Sequence, residues 1–397
     1  MKFKKKKLKN RLTILFEKRD VPVTTVMLGT RFGSAYETEN EKGIAHFIEH
    51  LCFKGTKKRT AREIAFELEK VGGILNAFTS EQVTAYHVKL PSEHLELAMD
   101  VIFDIYFNPI FPEEEVKKEA NVICEEIRMY HDNPRSHVME KIKQGLYENP
   151  FGMFAAGTIE IVSSIGREQL LKKHGEYYNP QNSILCVVGN NNFEEVVKFA
   201  EKFCVGGAGK QPVVSLIKKK SLKKEERRKN IHQANLAIGF HFPKASEKDV
   251  YAGQVFSTLL GEGMSSKLFT EVREKRGLAY AVKTFYESEK DYGYLVIFVG
   301  TDKGKIKEVI KICLKEFAEM KKLTAEELED GKKQVIGNYH VGAEGSNETA
   351  LNLVLSEISG KAEDYYDFEK NIKKVSLKDI QKLASIGEYA SFVLRPE

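Results

Sequence analysis

The stretch ELEKVGGILNAF, Glu67–Phe78, reads as the end of an amphipathic helix, a glycine stop and the opening of an apolar strand. EVREKRGLAYAV, Glu271–Val282, reads the same way about 205 residues later. Each is followed at that same offset by a second strand (Thr84–Leu90; Gly293–Val299) and an amphipathic helix (Leu95–Phe103; Ile306–Phe317). Self-similarity at a fixed offset implies two copies of one structural unit. The expected class is therefore α+β: two tandem homologous α/β units, each a largely antiparallel sheet with helices on one face. The glycine-rich segment Gly206–Lys210 and the charge run Lys218–Lys229 mark the boundary between them. The expected organisation is residues 1–208, a linker at 209–230, and residues 231–397.

Upstream of the first copy lies GIAHFIEHLCFKGT, Gly43–Thr56. Within it, His46 and His50 stand at i and i+4, one turn apart on one face of a helix. Two neutral imidazoles at that spacing can hold one Zn²⁺ between them. Glu49 falls on the same side, next to any water such an ion would carry. The order H-x-x-E-H is the inverse of the commoner H-E-x-x-H. The plain alternative is a pair of core or surface histidines on an amphipathic helix, but ten histidines in 397 residues make a chance match uncommon. The second copy has no counterpart, since its matching helix reads VYAGQVFSTLLGEGMSS. One metal site per chain is expected.

The remaining chain narrows the class. At 397 residues it is long enough for two cores. Hydrophobic residues at 42% and charged residues at 30% describe a folded rather than a disordered protein. The net charge of +5 comes without a nucleic-acid reader motif, so no nucleic-acid partner is expected. No run approaches 18 apolar residues, so no membrane span is expected. The basic N-terminus is too short in apolar residues for a secretion signal, and it reads as a first strand; the expected location is cytoplasmic. Five scattered cysteines with no C-x-x-C pair fit reduced thiols. Thr60 and Glu63 form a capping box that starts a helix. Strands are expected at Arg11–Phe16, Val23–Leu28, Ile74–Thr79, Val83–Leu90 and Ser183–Val188, and a long helix from Glu113 to the stop at Asn133–Pro134. His87, His94, His131 and His137 match no ligand spacing with HFIEH and are read as structural or surface residues.

Four segments together resemble the pitrilysin, insulinase and mitochondrial processing peptidase family of zinc metallopeptidases, and in particular its short two-domain members. They are Gly43–Thr60, Val71–Val88, Glu114–Pro134 and Gly261–Val282, so the resemblance spans the chain. It departs from the pattern at Lys267, where an arginine is usual. The resemblance implies His46 and His50 as zinc ligands and Glu126, about 76 residues further on, as the third. It implies Glu119 as an acid orienting the site and Glu49 as general base and then acid. Arg273 and Tyr280 would serve the oxyanion, and Asn76, Ala77 and Phe78 would line an edge strand that takes up an extended peptide. Each has an ordinary reading: an acidic helix face for Glu119, Glu125 and Glu126, a surface charge for Arg273, and core packing for Tyr280 and Phe78. The implied activity is peptide hydrolysis in a homodimeric clamshell with one Zn²⁺ per chain. The competing implication is a metal-free, non-catalytic subunit of a heterodimer.

Overall fold

The computed structural model describes residues 3–397 apart from 205, 208 and 215. Among them, the strands β1 (Phe3–Lys7), β2 (Thr13–Lys18), β3 (Val23–Thr30), β4 (Ile74–Thr79), β5 (Thr84–Pro91) and β6 (Ser183–Gly189) form one sheet in the order β1-β2-β6-β3-β5-β4. The second sheet contains β7 (Lys223–Arg228), β8 (Ala234–His241), β9 (Ala279–Ser288), β10 (Gly293–Thr301) and β11 (Ala390–Pro396), ordered β7-β11-β8-β10-β9. Without β1 the two orders are the same permutation. Each contains one parallel pair, β2 with β6 and β7 with β11, at the same place among antiparallel neighbours. The repeat seen in sequence is thus a repeat of topology.

The basic N-terminus forms one strand more than expected, since FKKKK is β1, ahead of the expected first strand. It pairs antiparallel with β2 at the sheet edge, with its lysines exposed. Edge lysines of this kind discourage pairing with another chain. The charge run around Lys223–Arg228 is likewise an edge strand, β7, so the second sheet begins inside the segment expected to be a linker.

The expected linear cut and the one-faced sheets both need correction. The chain separates into one unit of Met1–Ile127, Phe154–Ser215 and Gly342–Tyr365 and another of Arg128–Met153, Leu216–Val341 and Tyr366–Glu397. Each sheet comes from one side of the boundary, but two helices cross it. Helix Ser346–Ser359 packs on β3 and β6 in the first unit. It meets Thr25, whose Oγ1 lies 2.9 Å from Ser346 Oγ, and Gly29, which faces Val354. By strand alternation this is the face opposite Val26 and Leu28, which point into the main core of that unit. β6 is buried at every position as a result. In the second unit, Pro134–Leu146 packs on β8 and β11. Gly239 of β8 leaves room for it, since a Cβ there would come within 2.8 Å of Leu146. An apolar sheet face needs a cover, and here the cover is drawn from the far half of the sequence.

The elements that position the candidate site belong to the first unit. Helix α1 (Ile44–Cys52) buries Ile44, Ala45, Phe47, Ile48, Leu51 and Cys52. Burying side chains such as Phe47 and Leu51 contributes roughly 1.5–3 kcal/mol each, so the helix is pinned by its apolar face. Helix α2 (Ala61–Glu69) starts at Thr60 with both legs of the capping box formed. Helix α3 (Leu95–Phe107) supplies Ala98, Met99, Ile102 and Phe103 to the core. Helix α4 (Glu113–Asp132) buries Val116, Glu119, Ile123 and Cys124, and α5 is Pro134–Leu146.

Candidate metal centre

The start of α1 is held by charge. Gly43 precedes it with φ +97°, a conformation glycine adopts freely, and a Cβ there would lie 2.4 Å from the Ala156 carbonyl oxygen. The buried Glu37 carboxylate accepts from the Gly43 and Ala45 amides at 3.0 and 2.8 Å, which suits the positive end of a helix. Lys42, also buried, donates to the Ser34 carbonyl at 2.6 Å and lies 3.6 Å from Glu37. The opposite face of the helix then presents His46, Glu49 and His50.

His46 Nε2 and His50 Nε2 each lie 3.6 Å from Glu126 Oε2. That is too long for a hydrogen bond. It matches the edge, about 3.3–3.6 Å, of a tetrahedron whose ligands stand roughly 2.0–2.2 Å from a zinc ion. Two imidazole nitrogens and one carboxylate oxygen converge within 4.8 Å of one another. Glu125 is exposed and Glu126 half-buried on the neighbouring face, so the convergent carboxylate is Glu126.

Glu119 is 5% exposed and stands 3.1 Å from His50 Nδ1 and 2.7 Å from Lys54 Nζ. An Nδ1–H donated to Glu119 leaves the Nε2 lone pair aimed at the shared point, the usual outer support of a metal-binding imidazole. With no ion between them, burial pulls His50 down but Glu119 and Glu126 push it up to about 9. Burial and the charge of His50 hold His46 below its ordinary value. Contact with His50 keeps Glu126 low. The residues fit a zinc-class ion, and His46, His50 and Glu126 are the ones that would hold it.

Glu49 is 9% exposed, and its Oε2 receives Thr79 Oγ1 at 2.6 Å. Burial raises its pKa above the usual carboxylate range while the threonine bond works against that shift. Thr79 ends β4, the edge strand of the sheet, and β4 packs beside α1. Along β4, Asn76 is exposed, with Oδ1 accepting from the Ala77 amide at 2.8 Å, and Ala77 and Phe78 are half-buried. Phe78 is not a core residue.

Arg273 and Tyr280 lie in the second unit. Arg273 sits in the π-helical turn Phe269–Glu274, donates from Nη1 to the Tyr280 carbonyl at 3.2 Å and stacks 4.9 Å from the Tyr280 ring. Tyr280 is 77% exposed on the edge strand β9, so it is not strand core either. Cys52 is buried under the site with its thiol pushed up to about 12 and takes a hydrogen bond from Tyr86; it is no ligand. The five cysteines are free and buried.

Residues 13–157 match the model of the insulinase family (peptidase family M16), and residues 164–335 match that of the M16 inactive domain. The chain is 34% identical over 379 residues to an uncharacterized zinc protease of Bacillus subtilis, covering 94% of this chain and 92% of the relative. The chain belongs to the M16 family. A Rickettsia bellii relative, also named an uncharacterized zinc protease, is 36% identical over 386 residues, covering 94% and 93%. Two crystal structures share the M16 fold along the whole chain. A Helicobacter pylori protease superposes with TM-score 0.90 at 24% identity, covering 100% of this chain and 99% of its own. An M16 inactive domain from Pseudomonas fluorescens gives 0.89 at 18%, covering 100% and 98%.

Reading the sequence of this M16 protein missed three supporting residues. Lys54 follows His50 at i+4, a helical spacing that flags it. Glu37 precedes α1 by a loop, and an acid before a helix start is a recognisable signal. Thr79 carries no local signal, because its partner is on another element.

Proposed function

We propose that this chain is a zinc-dependent endopeptidase that hydrolyses short or unfolded peptides bound in extended form. The convergence of His46, His50 and Glu126 beside the buried Glu49 carboxylate supports this reading most directly. A zinc ion held by those three would polarise a substrate carbonyl and acidify a water. Glu49 Oε2 is engaged by Thr79, leaving Oε1 to take the proton of the attacking water. The same carboxyl group then hands that proton to the leaving amine nitrogen as the C–N bond breaks. Glu119 and Lys54 fix the His50 ring. The outer edge of β4 would pair with the peptide main chain, which gives binding with little regard to sequence. Arg273 and Tyr280 would stabilise the developing oxyanion, and the working form would be a cytoplasmic homodimer. Among the described residues, no helix is long and apolar enough to cross a membrane.

A non-catalytic subunit would have no use for the full set His46, Glu49, His50 and Glu126, which speaks for the enzyme. The test is zinc content together with cleavage of a random peptide library, comparing the wild-type chain with Glu49→Gln. The variant should keep its zinc and lose cleavage by roughly 10²–10⁴-fold or more. Equal cleavage by both chains, or a wild-type chain without zinc, would overturn the proposal.

A further inference from the structure

The second unit holds its own pair of histidines with a carboxylate. α4 ends at Asp132, and the chain turns at Asn133–Pro134, where the Asn133 side chain caps α5 by accepting from the Ser136 amide. An i, i+6 spacing separates residues on a continuous helix, but this corner folds His131 and His137 together, with ring centroids 4.7 Å apart at 77°. His137 is 1% exposed and packs edge-on against Phe392. Its Nε2 lies 2.8 Å from Glu226 Oε2, on the edge strand β7. One atom from each of His131, His137 and Glu226 falls within 4.8 Å of the other two. The donor set is the same as at the first site: two imidazoles and one carboxylate.

We propose that His131, His137 and Glu226 form a second site for a divalent transition-metal ion of the zinc class, which pins the α4–α5 corner to β7. His137 is the fixed ligand, oriented by burial and Phe392. His131 is exposed and able to turn onto the ion. Arg228 flanks the site: it donates to the His131 carbonyl at 2.6 Å and to Glu226 Oε1 at 2.9 Å, and its Nη2 lies 3.2 Å from His131 Nε2. The bond to Oε1 orients the carboxylate so that Oε2 faces His137, the outer support a metal ligand needs. The third contact yields when the ion arrives. Asp132, 3.5 Å from His131 Nδ1, adds negative charge at the mouth. A cavity of about 360 Å³ lined by Lys141, Gln144, Lys224, Glu225, Glu226 and Phe392 borders the carboxylate.

The test starts from the full chain carrying His46→Ala and Glu126→Gln, which removes the first site. Titration with Zn²⁺ followed by calorimetry should show one ion bound per chain, with a melting temperature that rises as zinc is added. Adding His131→Ala should abolish both effects while leaving the zinc-free melting temperature unchanged, because that side chain is exposed. A first-site-deleted chain that binds no zinc overturns the proposal, as does one whose binding survives His131→Ala. Peptide cleavage by the otherwise wild-type His131→Ala chain should match the wild type. That arm separates the two readings: the variant should lose one zinc per chain and no cleavage, whereas loss of cleavage would place the missing ion at the first site and overturn the proposal.

Discussion

The two units share one strand permutation, β1 apart, and differ at the helix that carries or lacks the histidines. In the first, α1 turns His46, Glu49 and His50 away from its apolar face. In the second, the matching helix Val250–Gly261 buries Val255, Phe256, Ser257, Thr258 and Leu260 and carries no histidine. The edge strands align closely: Thr79 ends β4 and Thr284 stands about 205 residues later on β9. Thr79 Oγ1 grips the Glu49 carboxylate at 2.6 Å. Thr284 Oγ1 donates to the Ser257 carbonyl at 2.8 Å, and the Ser257 hydroxyl donates to Glu262 at 2.7 Å. The edge-strand threonine reaches the Glu49 carboxylate in one copy and a main-chain carbonyl in the other. The candidate site thus differs between the copies by a few side chains on a shared scaffold.

The strongest way to erase the contrast is Glu126→Gln. It removes the only anionic member of the three converging donors, so zinc at the first site and peptide cleavage should both fall to background, read by metal analysis and a fluorogenic peptide. Thr79→Val sharpens the comparison. It removes a hydrogen bond to a charged group, worth roughly 1.5–3 kcal/mol. Because that bond lowers the Glu49 pKa, its loss raises it further. In the proposed mechanism Glu49 works ionised, so cleavage would be lost as pH falls through this value. The acid limb of kcat/KM should move to higher pH and activity below neutrality should drop roughly ten- to a hundredfold. Thr284→Val should leave the pH profile unmoved and cost only about 1 kcal/mol of stability.

A third prediction concerns the proton on His50. The ion-free ring holds it up to about 9, and zinc must displace it. Zinc affinity of the first site should therefore rise with pH, by roughly tenfold per unit, and level off near that value. Calorimetry in buffers of different ionisation enthalpy would count the released proton; a pH-independent affinity between 7 and 8.5 would contradict the assigned contacts. The smallest effect is Thr60→Ala, which breaks the cap of α2 and should cost about 1 kcal/mol by denaturant melting with no change in metal content.

Much of this was legible in the chain itself. Helical geometry is local, so HFIEH alone put His46, Glu49 and His50 on one side of α1, and the spaced repeats told of two copies of one unit. The T-x-x-E pattern at Thr60 gave a capping box that formed as read. Glu126 is different in kind. Nothing physical in the chain singles it out from Glu119 and Glu125; a family resemblance did so, and packing of α4 against α1 brought it to His46 and His50.

Other features came only with the tertiary structure. The lysine-rich β1 became a strand because β2 offered an open edge. Helices Pro134–Leu146 and Ser346–Ser359 each join the unit on the far side of the sequence boundary because its sheet had a second apolar face to cover. Thr79, and the approach of His137 to Glu226, depend on contacts between elements far apart in sequence. Periodicity, caps and turns follow from interactions over a few residues, and a sequence displays those directly. Convergence of ligands, tuning of their protons and sharing of helices are set by which surfaces bury one another, and that is decided only when the whole chain packs.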